Sequence, residues 1–141
     1  MKLSENFSLE ELTATSTGLM NHPTDEAEEK LLYVANYLLQ LIRDRWGSIR
    51  VNSGYRSPAV NAQVGGSATS QHRFGEAVDF IPLEADMKEV FYWLVKDSGI
   101  AFGQAILEPG WIHVSLVRVK GPNYQALTFD GKTYRPYMGG V

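Results

Sequence analysis

The stretch S-G-Y-R-S-P-A-V-N-A-Q-V-G-G-S-A-T-S-Q-H-R-F-G-E-A-V-D-F, residues 53–80, organises the rest of the chain. It contains His72 and Asp79, and a distant segment, W-I-H-V-S-L at residues 111–116, adds His113. The chain has no cysteine, so a closed thiolate zinc site is excluded. Two imidazoles and one carboxylate are a complete protein ligand set for a catalytic zinc, whose fourth position is left to water. The two segments therefore predict an open zinc site.

Alternation along both segments indicates how these residues come together. His113 lies on one face of residues 111–117, and the other face is apolar: Ile112, Val114 and Leu116. The apolar face belongs in the core, so His113 should face a cleft. Asp79 alternates with apolar neighbours in the same way, and His72 comes from the glycine-flanked loop before it. The alternative is that each residue has a separate local role, as a loop histidine, a turn acid and a half-buried imidazole.

Length and composition limit the class of protein. The 141 residues predict one domain, residues 1–141, and 44% hydrophobic with 21% charged residues is typical of a soluble globular chain. A net charge of −3 argues against a nucleic-acid partner held by a broad basic surface. The N-terminus lacks the apolar run of a signal peptide, and no stretch has transmembrane length. We therefore expect a monomer made in the cytoplasm, without membrane insertion.

Capping and periodicity predict an α+β fold. An S-x-x-E capping box predicts a first helix at residues 8–12, and a loop follows at residues 13–24. Helical spacing of apolar residues predicts a main core helix from about residue 25 to Gly47, one or two turns at residues 58–64, and a second amphipathic helix from residue 87 to about residue 99. Strands are expected at residues 48–52, 76–81, 104–107 and 111–119, with one more in the tail at residues 124–137, where Asp130-Gly131 forms a turn. The expected sheet is small and mainly antiparallel, with helices packed on one side.

Three blocks of sequence together carry a resemblance to a known family: S-G-Y-R-S, G-G-S-x-x-S-x-H-x-x-G-x-A-x-D and W-I-H-V-S. They resemble the signature blocks of zinc D-alanyl-D-alanine carboxypeptidases and related peptidoglycan peptidases, including those of phage endolysins. The segments L-S-x-N-F-S-L-x-E-L and G-L-x-N-x-P extend the resemblance over most of the chain up to about Leu116. It implies the hedgehog/DD-peptidase fold, Zn²⁺ bound by His72, Asp79 and His113, and peptidoglycan stem peptides as the substrate.

The resemblance also implies roles for residues around the metal. Arg56, in the first block, would hold a substrate carboxylate or polarise the scissile carbonyl, which suits a planar guanidinium. Many relatives have an acid three residues before the third-block histidine, but Gly110 occupies that position here. Glu108 is then the candidate general base, and Glu76 is a second choice. Ser70 and Trp111 are candidate substrate contacts, with a loop brace and a core residue as their alternatives.

The predicted function is that of a zinc metallopeptidase acting on peptidoglycan stem peptides, as a D,D-carboxypeptidase or an L,D-endopeptidase of the endolysin type. It would act on the cell wall after phage-mediated release. The glycine at position 110 supports a different class, a non-catalytic cell-wall-binding or phage structural module that retains the metal site. A signalling domain of the hedgehog type is a third alternative. His22, in the loop beside Pro23, is expected to lie outside the site.

Overall fold

The structure is a computed structural model that describes residues 1–139. The helices are α1 (Leu9–Leu12), α2 (Asp25–Val34), α3 (Gln40–Trp46), α4 (Pro58–Gln63) and α5 (Met87–Tyr92). A π-helical turn, Ala35–Leu39, joins α2 to α3, another, Trp93–Asp97, extends α5, and a 3₁₀ turn covers Gln71–Phe74. None of the helices within residues 1–139 has the length and apolar character that a bilayer crossing requires.

The predicted core helix is confirmed as one continuous run of α2, the π turn and α3. The Thr24 hydroxyl caps its start by accepting the N–H of Ala27 at 3.1 Å, and acidic residues fill its first turn. Its inner face is fully buried along Leu31, Val34, Leu38 and Ile42. Gly47 ends it with a φ of 86°, a left-handed conformation that favours glycine. The π turn is the one part of this helix that periodicity did not predict.

Six strands form one sheet in the order β1-β2-β4-β3-β5-β6. They are β1 (Ile49–Ser53), β2 (Ala77–Pro82), β3 (Gln104–Glu108), β4 (Trp111–Ser115), β5 (Gln125–Phe129) and β6 (Tyr134–Pro136). Every neighbouring pair is antiparallel except β3 and β5, which run parallel. The predicted α+β class with a mainly antiparallel sheet is therefore confirmed.

Two predicted strands differ from those observed. The strand expected at residues 111–119 ends at Ser115, because Ala77, its partner there, is the first residue of β2, and β3 begins at Gln104. Beyond this point the backbone of Arg118 bonds to the Asn123 side chain. Asn123 accepts the N–H of Arg118 at 2.8 Å and donates to its carbonyl at 2.7 Å. The tail, expected to supply one strand, supplies two, because the turn at Asp130-Gly131 folds β6 back onto β5.

The two faces of the sheet differ in character, and this difference positions the site. One face carries fully buried apolar residues of the central strands, which pack with α2, α3 and α5 in a single core: Val78, Phe80, Ala105, Ile112 and Val114. The opposite face carries Asp79, Ile106 and His113, which lie side by side on β2, β3 and β4. Asp79 and His113 thus share the face that is turned away from α2, α3 and α5.

Candidate metal centre

Three elements bring the candidate metal ligands together. Asp79 and His113 lie directly opposite each other on the antiparallel strands β2 and β4. His72 comes from the 3₁₀ turn, whose start is capped by the Ser70 hydroxyl accepting the N–H of His72 at 3.3 Å. Gly75 ends this turn with a φ of 72°, and a Cβ there would lie 2.5 Å from the Ala27 carbonyl oxygen. The turn that presents His72 therefore requires glycine at this position.

The three side chains converge on the Asp79 carboxylate. Its Oδ1 lies 2.9 Å from Nδ1 of His113 and 3.3 Å from Nε2 of His72. The ligand atoms of all three residues lie within 4.8 Å of one another. The side chains are also largely removed from water, with exposed fractions of 4% for His72, 11% for Asp79 and 12% for His113. Two nitrogens and one oxygen thus face one small volume.

The donor set fits a zinc ion. Bonds of about 2.0–2.1 Å at tetrahedral angles separate neighbouring ligand atoms by about 3.3 Å. The separation of His72 and Asp79 equals this value, and that of His113 and Asp79 is a few tenths of an ångström shorter. Nδ1 of His72 lies 2.8 Å from the Gly54 carbonyl oxygen, which only accepts hydrogen bonds. The proton of a neutral His72 is therefore held on Nδ1, and Nε2 keeps its lone pair for a metal.

Asp79, a candidate ligand, carries a negative charge at neutral pH. Burial alone would raise the pKa of its carboxyl group. In the metal-free protein, hydrogen bonds and charge interactions with His113 and His72, when these imidazoles are doubly protonated, outweigh burial and hold the pKa of Asp79 well below its usual range. The carboxylate form that a metal requires is thus already favoured by the protein itself.

Arg56 lies at the edge of the same group. Its Nη2 is 3.6 Å from Oδ2 of Asp79, and its Nε donates to the Ser53 hydroxyl at 3.1 Å. Its backbone N–H donates to the carbonyl of His72 at 2.9 Å, so the loop that carries Arg56 is tied to the turn that carries His72. The guanidinium therefore points at the candidate metal position while part of its surface, 19% of the side chain, stays open to a substrate.

Asn21 supports this loop from behind, a role that the sequence interpretation missed. Its amide nitrogen donates to the carbonyls of Thr13 and Tyr55, both at 2.8 Å, and its amide oxygen accepts the N–H of Ser57 at 2.7 Å. Tyr55 and Ser57 flank Arg56. The only signal in the sequence was the asparagine of the G-L-x-N-x-P segment, which gave no indication of its distant partners.

Glu108, the candidate base, is the last residue of β3. Glu108 and Trp111 are paired across the β3–β4 hairpin, and the indole Nε1–H donates to Oε2 of Glu108 at 2.9 Å. Partial burial, followed by the negative charge of Asp79, raises the pKa of Glu108 above the ordinary glutamate value. Trp111 therefore does more than form a cleft wall, because it also orients the carboxylate.

One cavity of about 480 Å³ lies over this face of the sheet. Its lining includes the three candidate ligands together with Arg56, Ser70, Glu108 and Trp111. The three candidate ligands, the first-choice base and the candidate substrate contacts thus line one cavity. Residues beyond position 115 also line it: Arg118, Pro122 and Tyr134.

Two residues considered at the sequence level lie elsewhere. Glu76 is not part of the cavity lining and pairs with Lys30 at 3.5 Å and Arg118 at 3.0 Å. His22 is exposed in the loop before α2. Glu108 is therefore better placed than Glu76 to act on a substrate in the cavity.

Comparison with known proteins assigns the family. A search of curated proteins finds no match to this chain. A family model described as Peptidase M15 matches residues 5–115, a region that contains His72, Asp79, Glu108 and His113. The match covers most of the chain and ends where β4 ends. The chain therefore belongs to the peptidase M15 family.

Proposed function

We propose that the protein is a zinc-dependent peptidase that hydrolyses peptide bonds in the stem peptides of peptidoglycan, as a D,D-carboxypeptidase or an L,D-endopeptidase of the endolysin type. The observation that carries the proposal is the single cavity lined by three converging candidate metal ligands, an acid and an arginine. Membership of a peptidase family supports hydrolysis of a peptide bond. The sequence blocks that resemble peptidoglycan peptidases support the choice of substrate.

Nε2 of His72, the Asp79 carboxylate and Nδ1 of His113 are the atoms that would hold the zinc. When bound, zinc supplies Lewis-acid chemistry, because it lowers the pKa of water and polarises a carbonyl group. The protein contributes the orientation of these ligands. The Gly54 carbonyl sets the tautomer of His72, and the strand pairing holds Asp79 against His113.

Glu108 would act as the general base. Its carboxylate is held by the Trp111 indole, and its raised pKa suits a group that takes a proton from water and returns it to the leaving amine. Arg56 would bind a substrate carboxylate or the scissile carbonyl through its fork of N–H donors. Because one chain supplies all of these groups, we expect a monomer to be sufficient for activity. The proposed substrate implies action at the cell wall.

The test is digestion of purified peptidoglycan by the zinc-loaded protein, with released fragments identified by mass spectrometry. Wild type should release stem-peptide fragments, and the masses identify the bond that is cut. Glu108→Gln preserves an oxygen acceptor for the Trp111 N–H, so it should keep its zinc and lose roughly 10²-fold or more in turnover. Glu84→Gln, a change at an exposed acid outside the cavity, is the matched control and should match wild type.

The non-catalytic alternative predicts a different result. A wall-binding module would retain zinc and bind peptidoglycan, yet release no fragment from it. The position of Glu108 argues against this alternative, because an acid lines the cavity although position 110 is glycine. If Glu108→Gln cuts peptidoglycan at the same rate as wild type, the base is a different residue.

A further inference from the structure

The segment at residues 116–139 follows the region matched by the family model and completes one side of the cavity. Its strand β5 joins the sheet beside β3, and β6 folds back onto β5. Three residues of this segment line the cavity: Arg118, Pro122 and Tyr134. Arg118 is engaged by Glu76 through two hydrogen bonds of 3.0 and 3.3 Å. Tyr134 also brings a polar group, its hydroxyl, to this side of the cavity.

Tyr134 is held in place by the hairpin that carries it. It pairs with Phe129 across β5 and β6, and the two rings stack with centroids 4.3 Å apart and planes 25° apart. The turn between them is closed by Asp130, whose Oδ1 accepts the N–H groups of Lys132 and Thr133, both at 2.8 Å. A ring fixed in this way loses little conformational entropy when a ligand packs against it.

The hydroxyl of Tyr134 is available to a ligand. Among residues 1–139 it has no hydrogen-bond partner, and 55% of the residue surface is exposed. Tyr134 lines the same cavity as Glu108 and Asp79. Partial burial, then the negative charges of Glu108 and Asp79, raises the pKa of the Tyr134 phenol. The group is therefore a neutral O–H donor at physiological pH.

Sheet order places this donor on one side of the candidate metal centre and Arg56 on the other. Arg56 follows β1 at one end of the sheet, and Tyr134 lies on β6 at the other end. The strands that carry Asp79 and His113 lie between them. A peptide that crosses the metal centre from Arg56 would reach the hairpin and the Tyr134 ring.

We propose that Tyr134 is a substrate-binding residue whose ring packs against the peptide and whose hydroxyl donates a hydrogen bond to a peptide carbonyl oxygen. The inference rests on the proposed function, since it takes the ligand to be a stem peptide. It adds a contact from a segment outside the family match, on the side of the site away from Arg56. Tyr134 thus helps to select which part of the peptide lies over the metal centre.

The test uses the zinc-loaded full chain and a synthetic stem pentapeptide that ends in D-alanyl-D-alanine. Tyr134→Phe removes the hydroxyl and keeps the stacked ring, so kcat/KM should fall roughly tenfold, mainly through KM, with zinc content and unfolding midpoint unchanged. Tyr134→Ala also removes the ring, so its kcat/KM should fall further than that of Tyr134→Phe. Tyr124→Phe is the matched control, because Tyr124 is an exposed tyrosine of the same segment that packs edge-on against Phe102 outside the cavity.

The outcomes separate this inference from the proposed function. Cleavage by wild type with unchanged kcat/KM in both Tyr134 variants overturns the inference and leaves the proposed function intact. If wild type cuts no bond, the proposed function fails. Binding of the same pentapeptide, measured by tryptophan fluorescence, then decides the inference. Weaker binding by Tyr134→Phe than by Tyr124→Phe would support it. Equal binding, or none by wild type, would overturn it.

Discussion

Replacing Asn21 tests whether the loop that carries Arg56 depends on one distant amide. Asn21→Ala deletes three hydrogen bonds, two to the carbonyls of Thr13 and Tyr55 and one from the N–H of Ser57. Each contributes about 0.5–1.5 kcal/mol net. Because Asn21 is half-buried, water replaces part of this loss, and the expected decrease in the free energy of unfolding is about 2–3 kcal/mol. Asn21→Asp should cost at least as much, since a carboxylate oxygen would then face two carbonyl oxygens.

The measurement is urea unfolding of the metal-free protein, with tryptophan fluorescence as the probe of the folded fraction. Asn123→Ala is the matched control, because Asn123 also bonds both the N–H and the carbonyl of a backbone residue but is exposed. Asn123→Ala should lower the free energy of unfolding by less than about 1 kcal/mol, since water replaces the hydrogen bonds of the Asn123 side chain. The reasoning would be refuted if the free energy of unfolding of Asn21→Ala lay within about 0.5 kcal/mol of the wild-type value at equal m-value.

The remaining predictions concern the metal, the arginine and pH. Wild type should hold about one zinc per chain by elemental analysis. Alanine at any of the three proposed ligands should abolish zinc binding, whereas His22→Ala should keep the zinc content of wild type. Arg56→Lys should keep normal zinc content but lose roughly tenfold in turnover, because lysine lacks the planar fork; unchanged kinetics would exclude a substrate role. The pKa of Asp79 is lower in the folded metal-free protein than in the unfolded chain, where it is about 3.9. Asp79 therefore stabilises the folded state fully at pH values above about 3.9, and this stabilisation is lost as the pH falls further. Unfolding measured against pH should therefore show a shallower acid dependence in Asp79→Asn than in wild type.

The parts of the fold that sequence predicted well are those set by neighbouring residues. Apolar alternation around Asp79 and His113 indicated which face of each strand is buried, and burial of Val78, Phe80, Ile112 and Val114 is what the structure shows. Caps and glycines likewise located the ends of the helices. These signals are local, because burial and capping act within a few residues of the chain.

The features that the sequence did not reveal depend on distant partners. Periodicity identified a strand near residue 125 but could not show that it pairs with β3 in parallel. The early end of β4 follows from the points at which its two partner strands, β2 and β3, begin. The hydrogen bond from Trp111 to Glu108 depends on the exact register of the hairpin. Pairing of this kind is decided by the whole fold and leaves no local pattern in the chain.

The short outer strand β6 has a consequence for how copies of this protein meet one another. An open sheet edge is a template on which a second chain can add a strand and begin aggregation. Here that edge spans three residues, carries the positive charge of Arg135 and ends in Pro136, which has no N–H to donate. Strand addition on this side is therefore disfavoured. The hairpin that lines the cavity thus also protects this edge of the sheet, while β1 forms the opposite edge.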